Sequence, residues 1–118
     1  MQSPAGATDT IEGGWRVKRI AGELLPAGMT VTMEFGNDGR VAGRSGCNRY
    51  FGSYSFDGTT LKLSQLGGTR MACPPPQMAV EERFLSAVTQ VTGARLSDAR
   101  ELVLTGASGP LLFMDRIR

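Results

Sequence analysis

The chain has 118 residues, which is close to the commonest size of a single domain and enough to bury one hydrophobic core. Its 13 lysines and arginines against 11 carboxylates leave a formal net charge of +2, too small and too scattered a surplus to indicate a nucleic-acid or membrane-surface partner. The chain contains no histidine, which excludes Ser-His-Asp and Cys-His catalysis and removes the commonest side-chain ligand of transition metals.

The N-terminal segment, residues 1–13, is predicted to be a flexible tether in front of a folded domain at residues 14–118. Proline, glycine and other small residues dominate its first ten positions, and no basic stretch followed by an apolar one indicates a signal peptide. Such a segment fits either a cytosolic protein or a mature chain from which a signal was removed. No run of about 18 apolar residues occurs in the sequence, so we expect no membrane-spanning helix.

Alternation of apolar and polar residues predicts short strands separated by turns. Residues 29–35 carry the clearest period-two pattern, and the turn at Gly36–Gly39 leads back through Val41, which indicates a hairpin. Similar patterns predict further strands near residues 15–20, 50–56, 61–63, 102–104 and 111–114.

One helix interrupts the strands, from about residue 76 to about residue 92. Apolar residues recur there at helical spacing, and Pro74–Pro76 precedes them, where proline is tolerated. Glu81 and Glu82, near the predicted start, favour the helix dipole. Because adjacent helical residues point in different directions, these two carboxylates are not expected to form an acid–base pair.

Strands on both sides of a single helix predict an α+β domain. Most connections are too short for parallel crossovers, so we expect a small antiparallel sheet or partly closed barrel with one amphipathic helix packed on it. The apolar face of the helix should lie on the sheet, in one core with Trp15. The residues expected on that face are Val80, Phe84, Val88 and Val91.

The two cysteines, Cys47 and Cys73, are too far apart in the sequence for a Cys-x-x-Cys redox or zinc motif. In an oxidising compartment they could pair, and the disulfide would stabilise the fold by about 3–4 kcal/mol in the chain-entropy model. In a reducing compartment they would be small buried hydrophobic residues. Both interpretations stay open on the sequence, and in either case we expect the two residues to lie within disulfide range.

The candidate site lies in two glycine-rich segments, residues 43–52 and 67–73, each of which contains one cysteine. Glycines let a strand bend, and arginine and tyrosine on a rigid bend bind partners well. The candidate binding residues are Arg44, Asn48, Arg49, Tyr50 and Arg70. In one interpretation Asn48, Arg49 and Arg70 are partly exposed and close enough to hold a carboxylate or phosphate. In the other, Asn48 and Arg70 bond buried carbonyls and only stabilise the fold. No metal or cofactor is expected.

Together these motifs resemble the META (HslJ-like) domain family. The most specific match is Ser45-Gly46-Cys47-Asn48-Arg49-Tyr50, followed downstream by Thr69-Arg70-Met71-Ala72-Cys73. The opening strand with Trp15, the helix with Glu81 and the closing strands also match. The resemblance covers about residues 14–116.

The resemblance implies a small α+β domain linked to the bacterial envelope, heat shock and antibiotic tolerance, with no established reaction. We therefore expect a non-enzymatic, envelope-associated stress-tolerance or interaction domain. It would be a monomer in the periplasm or at the outer membrane, with a cytoplasmic location still open. Family members are often lipid-anchored, so the precursor could carry an anchor.

The partner would be an envelope protein or a small ligand. The alternative function is a domain that binds a small molecule or anion through Arg49 and Arg70. An enzyme that uses the Cys47 thiol ranks last, because the chain has no histidine to activate a thiol.

Overall fold

The computed structural model describes residues 11–98 and 100–117, and these residues form nine β-strands and one α-helix. In chain order the elements are β1 (Gly13–Ile20), β2 (Glu23–Leu24), β3 (Thr32–Phe35), β4 (Arg40–Arg44), β5 (Arg49–Phe56), β6 (Leu61–Gly68), α1 (Pro75–Val88), β7 (Gly93–Asp98), β8 (Glu101–Gly106) and β9 (Gly109–Arg116). The only helix within those ranges is too short to cross a membrane.

The strands form one antiparallel sheet in the order β6-β5-β4-β3-β1-β9-β8-β7, with the short β2 beside β1. The predicted hairpin is present as β3 and β4, where Phe35 lies opposite Val41. The sheet curls until its two edge strands meet at one end, where Thr60 bridges Gly93. A curled antiparallel sheet with one helix packed on it confirms the predicted fold class.

Helix α1 packs its apolar face into the interior of the curled sheet. Val80, Phe84 and Val88 are buried there in one cluster with Trp15, which is fully buried, so the predicted packing of the helix is confirmed. The helix ends at Val88 rather than near residue 92, because the backbone of Thr92 already bonds to strands of the sheet. The Thr92 N–H donates to the Thr105 carbonyl at 2.8 Å, and its carbonyl accepts from Leu61.

The folded part of the chain begins earlier than predicted. Of the predicted tether at residues 1–13, residues 1–10 lie outside the described residues. Ile11 is 1% exposed, and its carbonyl accepts a hydrogen bond from the indole Nε1 of Trp15 at 2.9 Å. Gly13 opens β1 opposite Phe35. The domain therefore starts at Ile11 or before it, because core packing reaches that residue.

Candidate functional site

A cleft of about 520 Å³ lies between the C-terminal end of β6, the segment at residues 69–72 and the first half of α1. Of the residues predicted for a site, Asn48, Arg49, Tyr50 and Arg70 line it. Arg44 is exposed on β4 and is not part of this lining. The structure thus brings both glycine-rich segments to one cleft.

The carboxylate of Glu81 lies at the inner wall of this cleft and is 8% exposed. Its Oε1 accepts hydrogen bonds from the Ser45 hydroxyl at 2.6 Å and from the backbone N–H groups of Asn48 at 2.8 Å and Cys47 at 3.3 Å. Its Oε2 accepts from the Asn48 amide Nδ2 at 2.9 Å. A single helix side chain therefore organises the bend that connects β4 to β5.

The pKa of the Glu81 carboxyl reflects two opposed effects. Burial acts to raise it, but the hydrogen bonds from Ser45, Asn48 and Cys47 favour the charged form and bring it below its ordinary value of 4.5. The side chain is therefore an anion at neutral pH, stabilised by four uncharged donors. The prediction that Glu81 acts at the start of the helix through its dipole is wrong, because α1 begins at Pro75, well before this residue.

Asn48 connects the helix to the outer wall of the cleft. Its Nδ2 donates to Glu81 and to the Met71 carbonyl, at 2.9 and 3.2 Å. Its Oδ1 accepts from the Thr69 hydroxyl at 2.9 Å and from the Met71 N–H at 2.6 Å. The side chain is 4% exposed, so Asn48 does not form a partly exposed anion site with Arg49 and Arg70, as one interpretation of the sequence predicted. Its side chain instead bonds groups inside the protein and stabilises the fold, as the other interpretation predicted for Asn48.

Tyr50 also belongs to the scaffold, although it was predicted as a binding residue. It is 4% exposed, its hydroxyl donates to the Thr32 carbonyl at 2.6 Å, and its ring centroid lies 5.4 Å from that of Phe84. Burial raises the pKa of this phenol, and the nearby charge of Glu34 adds to the effect. Strand alternation turns Tyr50 inward and its neighbour Arg49 outward.

The two cysteines form a disulfide with a Cα–Cα distance of 5.9 Å. It joins the bend before β5 to the end of the segment that precedes α1. Together with Asn48, it fixes residues 69–73 against the bend. The outer wall of the cleft is therefore held by one covalent bond and by hydrogen bonds to Asn48 and to the backbone of Arg49.

Gly46 makes the contact between the bend and the helix possible. Its φ is +114°, a value that residues with a side chain rarely adopt. A Cβ atom there would lie 3.2 Å from the Gln77 carbonyl oxygen and 3.2 Å from the Glu81 nitrogen. The glycine thus lets the backbone approach α1 closely enough for Glu81 to reach the bend.

The side chains of the two arginines of the cleft differ from those of Asn48 and Tyr50, which bond within the fold. Arg49 and Arg70 are exposed, and neither guanidinium has a hydrogen bond or ion pair within residues 11–98 and 100–117. Beside them lie two exposed apolar side chains of the same cleft, Met71 at 56% and Leu85 at 37% exposure. The cleft therefore presents positive charge next to apolar surface.

The sequence interpretation missed Glu81 and Ser45 as site residues. One signal was available: with 3.6 residues per turn, Glu81 lies three residues before Phe84 and seven before Val88, on the edge of the buried face. A carboxylate on a buried helix face needs hydrogen-bond partners, so this position could have predicted a polar network around Glu81.

The family model described as META domain matches residues 8–117. The chain belongs to the META domain family. This confirms the resemblance found in the sequence. None of the curated proteins searched matches the chain.

Three solved structures have folds similar to the META domain of this chain. A protein from Burkholderia xenovorans, solved by NMR, is 32% identical with a TM-score of 0.73, over 98% of this chain and 88% of that chain. Another protein solved by NMR is 21% identical with a TM-score of 0.68, over 98% and 96%. A DUF4847 family protein from Bacteroides vulgatus is 14% identical with a TM-score of 0.65, over 94% and 96%. The latter two show a shared fold only.

The disulfide of this META domain should be a substantial part of its stability. Replacing Cys47 and Cys73 together with serine is expected to lower the free energy of unfolding by about 2–4 kcal/mol, because the unfolded chain loses a long covalent loop. Urea denaturation of the oxidised protein, the reduced protein and the double variant measures this. The reduced protein and the variant should agree, and a variant as stable as the oxidised protein would contradict the prediction.

Glu81 should make stability depend on pH in acid. Its pKa is lowered by folding, so its contribution is complete above its ordinary value of 4.5 and is lost as the pH falls below that value. We expect the stability difference between the wild type and Glu81→Gln to shrink from pH 7 to pH 3, as measured by urea denaturation. Glu82→Gln, a change at the exposed neighbour, should follow the wild type throughout. A difference that stays constant with pH would contradict the role given to Glu81.

Proposed function

We propose that this META domain is a non-enzymatic binding domain of the bacterial envelope, and that its cleft takes a ligand with a negative charge and an apolar part. The observation that carries the proposal is that Arg49 and Arg70, whose guanidinium groups have no partner among the described residues, line the same cleft as the exposed side chains of Met71 and Leu85. Arginine binds carboxylates and phosphates through paired hydrogen bonds. A role in stress tolerance, as the family resemblance implies, would then depend on this binding.

The chemistry of the groups around the cleft supports binding rather than catalysis. The Glu81 carboxylate accepts four hydrogen bonds that hold the bend, so it is committed to structure. Both cysteines are in the disulfide, which leaves no thiolate to act as a nucleophile. The sequence offers no histidine to act as a general base.

The disulfide also supports the envelope location. Disulfides persist in oxidising compartments such as the periplasm and are rare in the bacterial cytosol. Trapping thiols with an alkylating reagent in growing cells tests this. We expect Cys47 and Cys73 to be protected until a reductant is added, and immediate labelling of both would place the protein in a reducing compartment.

Binding is tested by NMR on the ¹⁵N-labelled protein, titrated with decanoate and with uncharged decanol. We expect decanoate to shift the amide signals of residues 66–72, and decanol to shift them less. The double variant Arg49→Gln/Arg70→Gln should lose the response, whereas Arg40→Gln/Arg95→Gln, which removes two exposed arginines outside the cleft, should retain it. Equal responses to the two compounds, or in the two variants, would contradict the proposal.

A further inference from the structure

We propose, building on the binding function above, that the occupant of the cleft is the extended C-terminal segment of another protein. It would add to the sheet as a strand along β6. Its last apolar side chain would enter the cleft, and its terminal carboxylate would bind Arg49 and Arg70.

Strand β6 offers a free edge. It lies at one end of the sheet order and pairs with β5 on its inner side. On its outer side, the contacts with the opposite edge of the curled sheet are at its very start: the bridge between Thr60 and Gly93 and the bond from Leu61 N–H to Thr92. A bulge interrupts β6 at Gln65, where φ is +55° and the register with β5 shifts. Within the described residues, no strand covers the outer side of residues 66–68, which follow this bulge and line the cleft. An uncovered edge is a ready template for an added strand.

Helix α1 lies on the far side of this edge and makes it one wall of a groove. The chain leaves β6 at Gly68, and residues 69–74 lead to the start of the helix. After the helix, Thr92 returns to bond Leu61 at the start of β6. The helix therefore runs back alongside β6, and the cleft separates the two. Its volume of about 520 Å³ is within the roughly 300–1,000 Å³ typical of ligand pockets.

The lining suits a peptide with an apolar terminal residue. Gly67 and Gly68 form the strand side of the cleft and carry no side chains that would cover the backbone. Leu66, Met71 and Met78 form the apolar part, and methionine adapts to side chains of different shape. A backbone edge beside an apolar pocket favours a peptide over a fatty acid, because an alkyl chain could not use the hydrogen-bonding groups of the strand.

The arginines set the direction of the peptide. Arg70 follows the C-terminal end of β6, and Arg49 precedes Tyr50, which lies opposite Gly68. Arg49 and Arg70 thus both lie at the end of the groove where β6 ends. A carboxylate held there would end the peptide beside Gly68, so the added strand would run parallel to β6.

The test uses fluorescein-labelled octapeptides that end in leucine, valine or phenylalanine, with binding followed by fluorescence polarisation. Each peptide is compared with its C-terminally amidated twin. Two further twins carry N-methyl groups on alternate amides, in the two possible registers. An added strand bonds its neighbour through alternate residues, so only one register should block binding.

We expect free-carboxylate peptides to bind, and amidation to weaken binding by at least about tenfold, because a charge-assisted contact is lost. The Arg49→Gln/Arg70→Gln variant should show the same loss, and the Arg40→Gln/Arg95→Gln control should bind normally. Equal binding of amidated peptides, or equal effects of the two methylation registers, would overturn the inference. If no peptide binds while decanoate still shifts the cleft signals, the inference falls and the proposed function stands. If neither binds, both fall.

Discussion

Replacing Phe84 with alanine is expected to destabilise the domain by about 3–5 kcal/mol, which is a large part of the roughly 5–15 kcal/mol that a typical domain has. Phe84 is fully buried in the C-terminal half of α1, where its ring packs against Tyr50 in the core cluster. Truncation removes this contact and leaves a cavity between the helix and the sheet, which the rigid strands cannot close.

Thermal melting and urea denaturation measure the effect, and the melting temperature should fall by more than about 10 °C. Leu85→Ala is the matched control, since it shortens the adjacent residue of the same helix, whose side chain is 37% exposed. We expect the control to cost less than about 1 kcal/mol. An unchanged melting temperature in Phe84→Ala would mean that α1 does not pack on the sheet as described.

Replacing Glu81 with alanine is expected to cost about 3–5 kcal/mol as well, but by a different mechanism. The change leaves the buried N–H groups of Asn48 and Cys47 without an acceptor, and each unsatisfied buried donor costs about 1–3 kcal/mol. The Ser45 hydroxyl keeps a second acceptor in the Asn48 carbonyl. The substitution removes no apolar side chain from the core, so the packing of the core should stay intact.

The variant Glu81→Gln distinguishes this mechanism from simple loss of packing. Its amide oxygen can replace Oε1, but its NH₂ group would face the Nδ2 donor of Asn48, so we expect a smaller loss than for alanine. Hydrogen exchange should rise at Thr69 and Met71 in both variants, since Asn48 then loses its anchor. Glu82→Ala is the control. Equal stabilities of the glutamine variant and the wild type at pH 7 would show that the negative charge contributes nothing.

The fold could be predicted from local patterns because each pattern reports a buried face. The alternation of apolar residues in residues 29–35 and their helical spacing between Val80 and Val91 can both be recognised from residues that are close in the sequence. Strand β7 was missed because its sequence, Gly93–Asp98, is mostly small or polar, and Ala94 is buried only through its tertiary neighbours. The curl of the sheet likewise depends on the distant Thr60–Gly93 bridge.

The candidate site was predictable only in outline. The glycine-rich segments around Cys47 and Cys73 do meet, but which side chains face the cleft depends on contacts between residues far apart in the chain. Asn48 and Glu81, 33 positions apart, bond each other, and so Asn48 is committed to structure. Arg49 and Arg70 make no side-chain bonds within the described part of the chain. No local sequence pattern distinguishes such an arginine from one that is bonded internally.

The position of β1 has a consequence for how the chain acquires its structure. Besides the short β2, it pairs with β3 and β9, so that Trp15 lies opposite both Met33 and Arg116. The sheet is therefore continuous only after β1 has paired with β9, which lies about 100 residues later in the chain. Such long-range pairing slows folding. A nascent chain that has not yet produced β9 would leave one edge of β1 unpaired, and an unpaired strand edge favours aggregation.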